Sequence, residues 1–189
     1  MNDHSGFTAN WADRAQANWL EFLPHLAHSK LTYLEIGVFE GRSGCWILEN
    51  VLTHAEARYI GIDSWPFYQD RDGGIVEARA RNNLSPDSDK VELIRGESQW
   101  VLRQPRWQPE TIDVGYIDGD HGSEAVLTDS VLLWPLIKPG GVLIWDDCSR
   151  RRKNRPVRCA IRAFLACVPD RYVPMFSKRL QFAIRKVSP

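Results

Sequence analysis

The stretch Thr32 to Ser43, TYLEIGVFEGRS, opens as an apolar run of strand type and closes as a loop with glycines at Gly37 and Gly41. Glycine reaches backbone conformations that other residues avoid, and a strand that breaks into such a loop before a helix lets the main chain approach a ligand. Ser43 stands where the next helix opens. An ordinary strand-to-helix turn carries the same glycines, so the acid two residues before Gly37, Glu35, adds the discriminating element. A carboxylate there accepts a hydrogen bond from an ammonium group or an ordered water, and it repels the pyrophosphate of a dinucleotide.

The flanking sequence repeats this unit. Thr32 to Ile36, Arg58 to Ile62, Lys90 to Ile94, Thr111 to Ile117 and Gly141 to Trp145 read as strands. Ser43 to Leu52, Gly74 to Leu84, a short segment from Ser98, Ser123 to Leu136 and Val157 to Val168 read as the helices that follow them. Short β-branched runs alternating with stretches of helical period mark an α/β chain with a parallel sheet. The tail differs: Tyr172 to Phe176 and Leu180 to Lys186 are extended runs separated by a short Ser-Lys-Arg turn, which suits an antiparallel hairpin. Ahead of the first strand, residues 8–28 place Trp11, Ala15, Trp19, Phe22 and Leu23 near one helical face, as a helix covering a sheet or a site would. A chain of 189 residues suits one domain, with residues 1–29 as helical cover and 30–189 as core.

Composition narrows the function. Lys plus Arg equals Asp plus Glu at 24 each, so no overall field draws the molecule to nucleic acid or to an anionic membrane. No stretch approaches the roughly 20 apolar residues that cross a bilayer, and the first residues are neither basic nor apolar, so the expected location is cytoplasmic. Cys45, Cys148, Cys159 and Cys167 show no CxxC spacing and are expected as reduced, mostly buried thiols. The 8 tryptophans permit an apolar surface for a homo-oligomer without requiring one.

Ligands of open parallel sheets bind beyond the carboxyl ends of the strands, where the chain order reverses, so the residues just after each strand carry the chemistry. Asp63 follows the second strand, where an acceptor holds both ribose hydroxyls of a nucleoside; nicotinamide sites use the same device. Gly96-Glu97-Ser98 follows the third, either bringing polar atoms to an adenine edge or capping a helix through Ser98. The fourth and fifth strands end in Tyr116-Ile117-Asp118-Gly119-Asp120-His121 and Ile144-Trp145-Asp146-Asp147. Hard oxygen ligands from neighbouring strand ends are what a Mg²⁺-like ion needs, and Asp118, Asp146 and Asp147 fit that description. These acids equally suit helix caps, or pairing with the Arg150-Arg151-Arg152-Lys153 run. His121, with an ordinary pKa of about 6.5, can take a proton from a hydroxyl near neutral pH.

The combination resembles the class I S-adenosylmethionine-dependent methyltransferases, and among them the small O-methyltransferase-like group that includes cephalosporin hydroxylase-type and macrolide-sugar methyltransferase domains. It covers about residues 31–168 and rests most on Ile117-Asp118-Gly119-Asp120-His121-Gly122, Trp134-Pro135-Leu136 and Lys138-Pro139-Gly140-Gly141. The resemblance implies a Rossmann-like doubly wound sheet, mostly parallel, ending in the antiparallel hairpin. It implies S-adenosyl-L-methionine as cofactor: Glu35, Gly37, Gly41 and Ser43 around its methionine part, Asp63 on its ribose, and Gly96, Glu97 and Ser98 towards adenine. Asp118 lies where it would serve both cofactor and catalysis. In metal-dependent relatives an ion such as Mg²⁺ sits on acids matching Asp118, Asp146 and Asp147, and His121 falls in the position of the base. Asp147 stands where such relatives carry Asn or Asp. The implied reaction has His121 remove the proton of an acceptor hydroxyl, whose oxygen then attacks the sulfonium methyl in line.

Three other readings compete. A nicotinamide-dependent oxidoreductase shares the fold and the ribose acid, but the first loop lacks GxGxxG and no tyrosine is followed four residues later by lysine. A non-catalytic cofactor-binding module would keep the same pocket. A nucleic-acid methyltransferase would grip phosphates with Arg150 to Arg155, but the chain lacks a DPPY-like tetrapeptide, which favours a small hydroxylated acceptor.

Overall fold

The computed structural model describes residues 6–66, 72–148 and 155–187. Phe67 and Tyr68 of the loop after Asp63, and the Arg150-Arg151-Arg152-Lys153 run, lie outside the described residues. No helix among the described residues is long and apolar enough to cross a membrane.

The strands are β1 (Thr32–Ile36), β2 (Arg58–Asp63), β3 (Val91–Arg95), β4 (Ile112–Ile117), β5 (Ile137–Trp145), β6 (Tyr172–Lys178) and β7 (Gln181–Lys186). The helices are α1 (Asp13–Phe22), α2 (Arg42–Asn50), α3 (Gly73–Asn83), α4 (Ser98–Val101), α5 (Ser123–Leu133) and α6 (Arg155–Cys167), with short 3₁₀ turns between some of them. They build one sheet in the order β3-β2-β1-β4-β5-β7-β6. The first five strands run parallel, and β7 pairs antiparallel with both β5 and β6. The expected doubly wound, mostly parallel sheet with its closing hairpin is therefore present. The order reverses between β1 and β4, which places the crevice there.

Register sets the site. Ile36 lies beside Ile62 on one side and Ile117 on the other, and Ile117 lies beside Trp145. The strands thus end level, and the polar residues that follow them emerge on one rim. Side chains alternate across the sheet. Tyr33, Tyr59 and Tyr116 face the core under α1, α2 and α3, whereas Leu34, Ile36, Ile62, Ile117 and Trp145 face the core under α5 and α6. Both cores are apolar, so the parallel strands are covered on each face, as such sheets require.

Several details differ from the sequence expectation. β5 starts at Ile137 rather than Gly141, because Ile137 pairs with Ile112 before an irregularity between Ile112 and Val114. The hairpin turns on Arg179 and Leu180, both at positive φ (47° and 69°), the conformation of a tight turn whose twist matches its strands. The cysteines are all free, but only Cys45 and Cys148 are half-buried; Cys159 and Cys167 lie on the solvent side of α6. The expectation of mostly buried thiols fails because that helix turns Val157, Ala160, Ile161 and Phe164 inward instead.

Candidate active site

The loop after β1 is shaped by Gly37. Its φ is +92°, and a Cβ placed there would lie 2.2 Å from the Asp118 carbonyl oxygen and 2.7 Å from the Gly119 nitrogen. Only glycine lets the β1 and β4 loops touch this closely at the point where the sheet order reverses. Gly41, at φ +81°, caps the start of α2. Ser43 is the second residue of that helix, which starts one residue earlier than the sequence pattern placed it, and its hydroxyl donates to Glu35.

Glu35 is fully buried, and its other oxygen accepts from the Tyr59 hydroxyl at 2.5 Å. It reaches the glycine loop only through Ser43, so it braces the loop from beneath. Burial pushes its carboxyl up to about 8, against the pull of the Ser43 and Tyr59 hydrogen bonds. A carboxyl whose folded-state value exceeds its ordinary 4.5 favours folding fully below that value, and the contribution is lost as pH rises towards 8. Glu35→Gln keeps a neutral group of the same shape, so its unfolding midpoint should fall less than that of the wild type between about pH 5 and about pH 9. Thermal melts across that range check this, and parallel curves for the two proteins would contradict it.

Asp63 also holds the loop. Its Oδ2 accepts from the Val38 and Phe39 amides, each at 2.8 Å, and its Oδ1 from the Trp65 amide at 2.7 Å. Oδ1 retains a lone pair for a further donor. Burial holds this carboxyl above the usual carboxylate range, against those three amides. Gly96, Glu97 and Ser98 follow β3; Glu97 is the N-cap of α4 but makes no side-chain cap bond. The alternative of a Ser98 cap thus gives way to another partner: the Ser98 hydroxyl donates to Asp129 of α5 at 2.5 Å. Burial carries Asp129 up to about 6.

The ends of β4 and β5 bring Asp118, His121, Asp146 and Asp147 together, but not as one set. Ligand atoms of Asp118, His121 and Asp147 lie within 4.8 Å of one another, close enough to share a cation among the described residues. His121 Nδ1 is 3.3 Å from Asp147 Oδ2, and its Nε2 is 3.8 Å from Asp118 Oδ1. Asp146, grouped with the other two aspartates on sequence grounds, is turned inward. Its Oδ2 accepts from the Tyr116 hydroxyl at 2.5 Å and from Gln181 at 3.3 Å, and its Oδ1 from the Asp147 amide at 2.5 Å. Burial, then the charge of Asp146, lifts Asp118 to about 7. His121 is held above its ordinary value, first by the neighbouring Asp118 carboxylate and then by the charge of Asp147. Asp120 turns its own loop, accepting from the Gly122 amide at 2.6 Å.

Sequence reasoning missed the cation of this corner. Arg14 of α1 sends one guanidinium nitrogen to Asp146 and Asp147, 3.1 Å from each. It also missed Asn18, which is buried and bonds Gln181 at 3.0 Å and the Lys178 carbonyl at 2.9 Å. Arg14 and Asn18 are four residues apart and flank the apolar positions Ala15 and Trp19, a pattern that marks a polar seam along the buried stripe. The described cavity of about 410 Å³ lies elsewhere, at the amino ends of the strands, lined by Thr32, Arg58, Lys90, Arg106 and Trp107 among others.

A glycine loop, a loop-bound acid and an acid–imidazole cluster thus share one rim of a doubly wound sheet. A family model described as a methyltransferase domain matches residues 34–148, from the middle of β1 to just past the acid pair. The chain belongs to this methyltransferase family. The fold of this methyltransferase is shared with the O-methyltransferase TomG from Streptomyces achromogenes, solved with SAM: 18% identity and TM-score 0.65, over 96% of this chain and 82% of that one. It is shared too with an O-methyltransferase from Bacillus cereus, solved with SAH: 18% identity and TM-score 0.59, over 93% of this chain and 89% of that one. An uncharacterized protein of Acanthamoeba polyphaga mimivirus is 28% identical over 145 residues, 72% of this methyltransferase. The chain spans 60% of the length of that curated relative.

Proposed function

We propose that this methyltransferase moves the methyl group of S-adenosylmethionine onto a hydroxyl of a small-molecule acceptor. The observation that carries the reading is the approach of Gly37 to Asp118, which places the glycine loop against the acid–imidazole cluster. The Oδ1 of Asp63 offers its remaining lone pair to a ribose hydroxyl. His121, half-exposed and flanked by two carboxylates, takes the acceptor proton, and Asp118 holds the imidazole towards it. The O-methyltransferases that share the fold support an oxygen acceptor. Beside His121, Asp118 and Asp147 would hold a divalent ion, which would lower the pKa of the acceptor hydroxyl and leave the imidazole to take its proton.

Calorimetric titration with S-adenosylmethionine and separately with NAD, each with and without Mg²⁺, tests the proposal. Binding of the methyl donor at micromolar concentration, and none of NAD, is expected. Binding of NAD alone, or of neither, overturns the donor assignment.

A further inference from the structure

The acid corner at the end of β5 already holds a positive charge. Arg14 spans Asp146 and Asp147 with one nitrogen, and its neighbours on α1 fix it there. Asn18 bonds Gln181 at 3.0 Å, and Trp19 stands edge-on to Tyr116 with ring centres 5.4 Å apart. Asp147 is shared: its Oδ1 takes Arg14, and its Oδ2 faces His121 in the group able to hold a cation. Two cations cannot draw on one carboxylate at such range without repelling each other.

We propose that Arg14 is the resident cation of this corner and competes with a divalent ion for Asp147. The proposal rests on reading Asp118 and Asp147, beside His121, as the cation position. Arg14 thereby keeps the site weak for divalent ions and ties the covering helix to the acid pair; an ion entering beside His121 loosens that tie. A purely structural arginine would behave differently, since its removal would loosen the acids and weaken any ion bound by them.

The test is Mn²⁺ titration of the full chain without methyl donor, with the free ion followed by electron paramagnetic resonance. Arg14→Met and Arg14→Gln should each bind Mn²⁺ at least tenfold more tightly than the wild type, and Arg14→Lys should stay near the wild type. Asp13→Asn, which cuts the surface ion pair of Asp13 with Arg42 on the same helix and touches neither Arg14 nor the acids, should leave Mn²⁺ affinity unchanged. Equal or weaker binding by both neutral variants overturns the proposal, as does absence of Mn²⁺ binding from every protein, or equal tightening by Asp13→Asn. Because no methyl donor is present, failure to bind S-adenosylmethionine would bear on the donor assignment and leave this result standing.

Discussion

Gly37→Ala should remove donor binding, weakening it by at least a hundredfold, about 3 kcal/mol, and should lower the melting temperature at the same time. The added methyl would stand 2.2 Å from the Asp118 carbonyl oxygen and 2.5 Å from its carbon. Both are backbone atoms of a strand end held by the Asp118 amide on the Ile36 carbonyl at 2.8 Å, so neither can rotate away. Relief requires the β1 and β4 loops to part by roughly an ångström, on top of the cost of a left-handed alanine. That movement separates the glycine loop from Asp118, the contact on which the proposed function depends. Gly41→Ala is the internal control. Its φ is also positive, but the new methyl would meet the end of the Leu84 side chain at 2.9 Å, and a leucine can shift. About 1 kcal/mol of destabilisation is expected there. Titration and thermal melting of both variants decide the matter, and equal losses would mean that the Gly37 contact has no special place in binding.

His121→Ala should lower turnover by about 10² to 10⁴ with little change in donor affinity, the range seen when a positioned base is removed. The measurement is steady-state turnover with any hydroxylated acceptor that the wild type methylates, beside calorimetry of the donor. The wild-type profile supplies an independent check. Asp118 and Asp147 hold the imidazole above its ordinary 6.5, so the base is neutral only at higher pH, and turnover should fall on the acid side of a midpoint above 6.5. The variant should lose that limb. Unchanged turnover, or an acid limb that survives in the variant, would take the proton-transfer role from His121.

Much of the molecule is legible in its sequence because strands in a parallel sheet are buried on both faces and read as short apolar runs. The extent of β5 is less so: the apolar run reads as a strand only from Gly141, yet Ile137 is already paired with Ile112. The polar residues that follow the strands could be named, because the topology delivers them to one rim. What each one touches could not. Glu35 looks like a ligand-facing acid until β1 and β2 are set in register and Tyr59 arrives beneath it. Asp146 and Asp147 are adjacent in sequence and share Arg14, but the backbone turns left-handed at Asp147 (φ 50°), and beyond that arginine Asp146 faces Tyr116 while Asp147 faces His121. Arg14 lies 132 residues from Asp146, and no local pattern announces a pairing at that distance.

The hairpin carries a consequence for synthesis. β7 lies between β5 and β6, so the sheet is completed by the last segment of the described chain to leave the ribosome. Until Gln181 emerges, the inward carboxylate of Asp146 lacks one of its donors and the edge of β5 is unpaired. A nascent chain stalled before that residue would therefore present a bare strand edge beside an incompletely partnered acid, the state in which chaperone capture or misassociation is most expected.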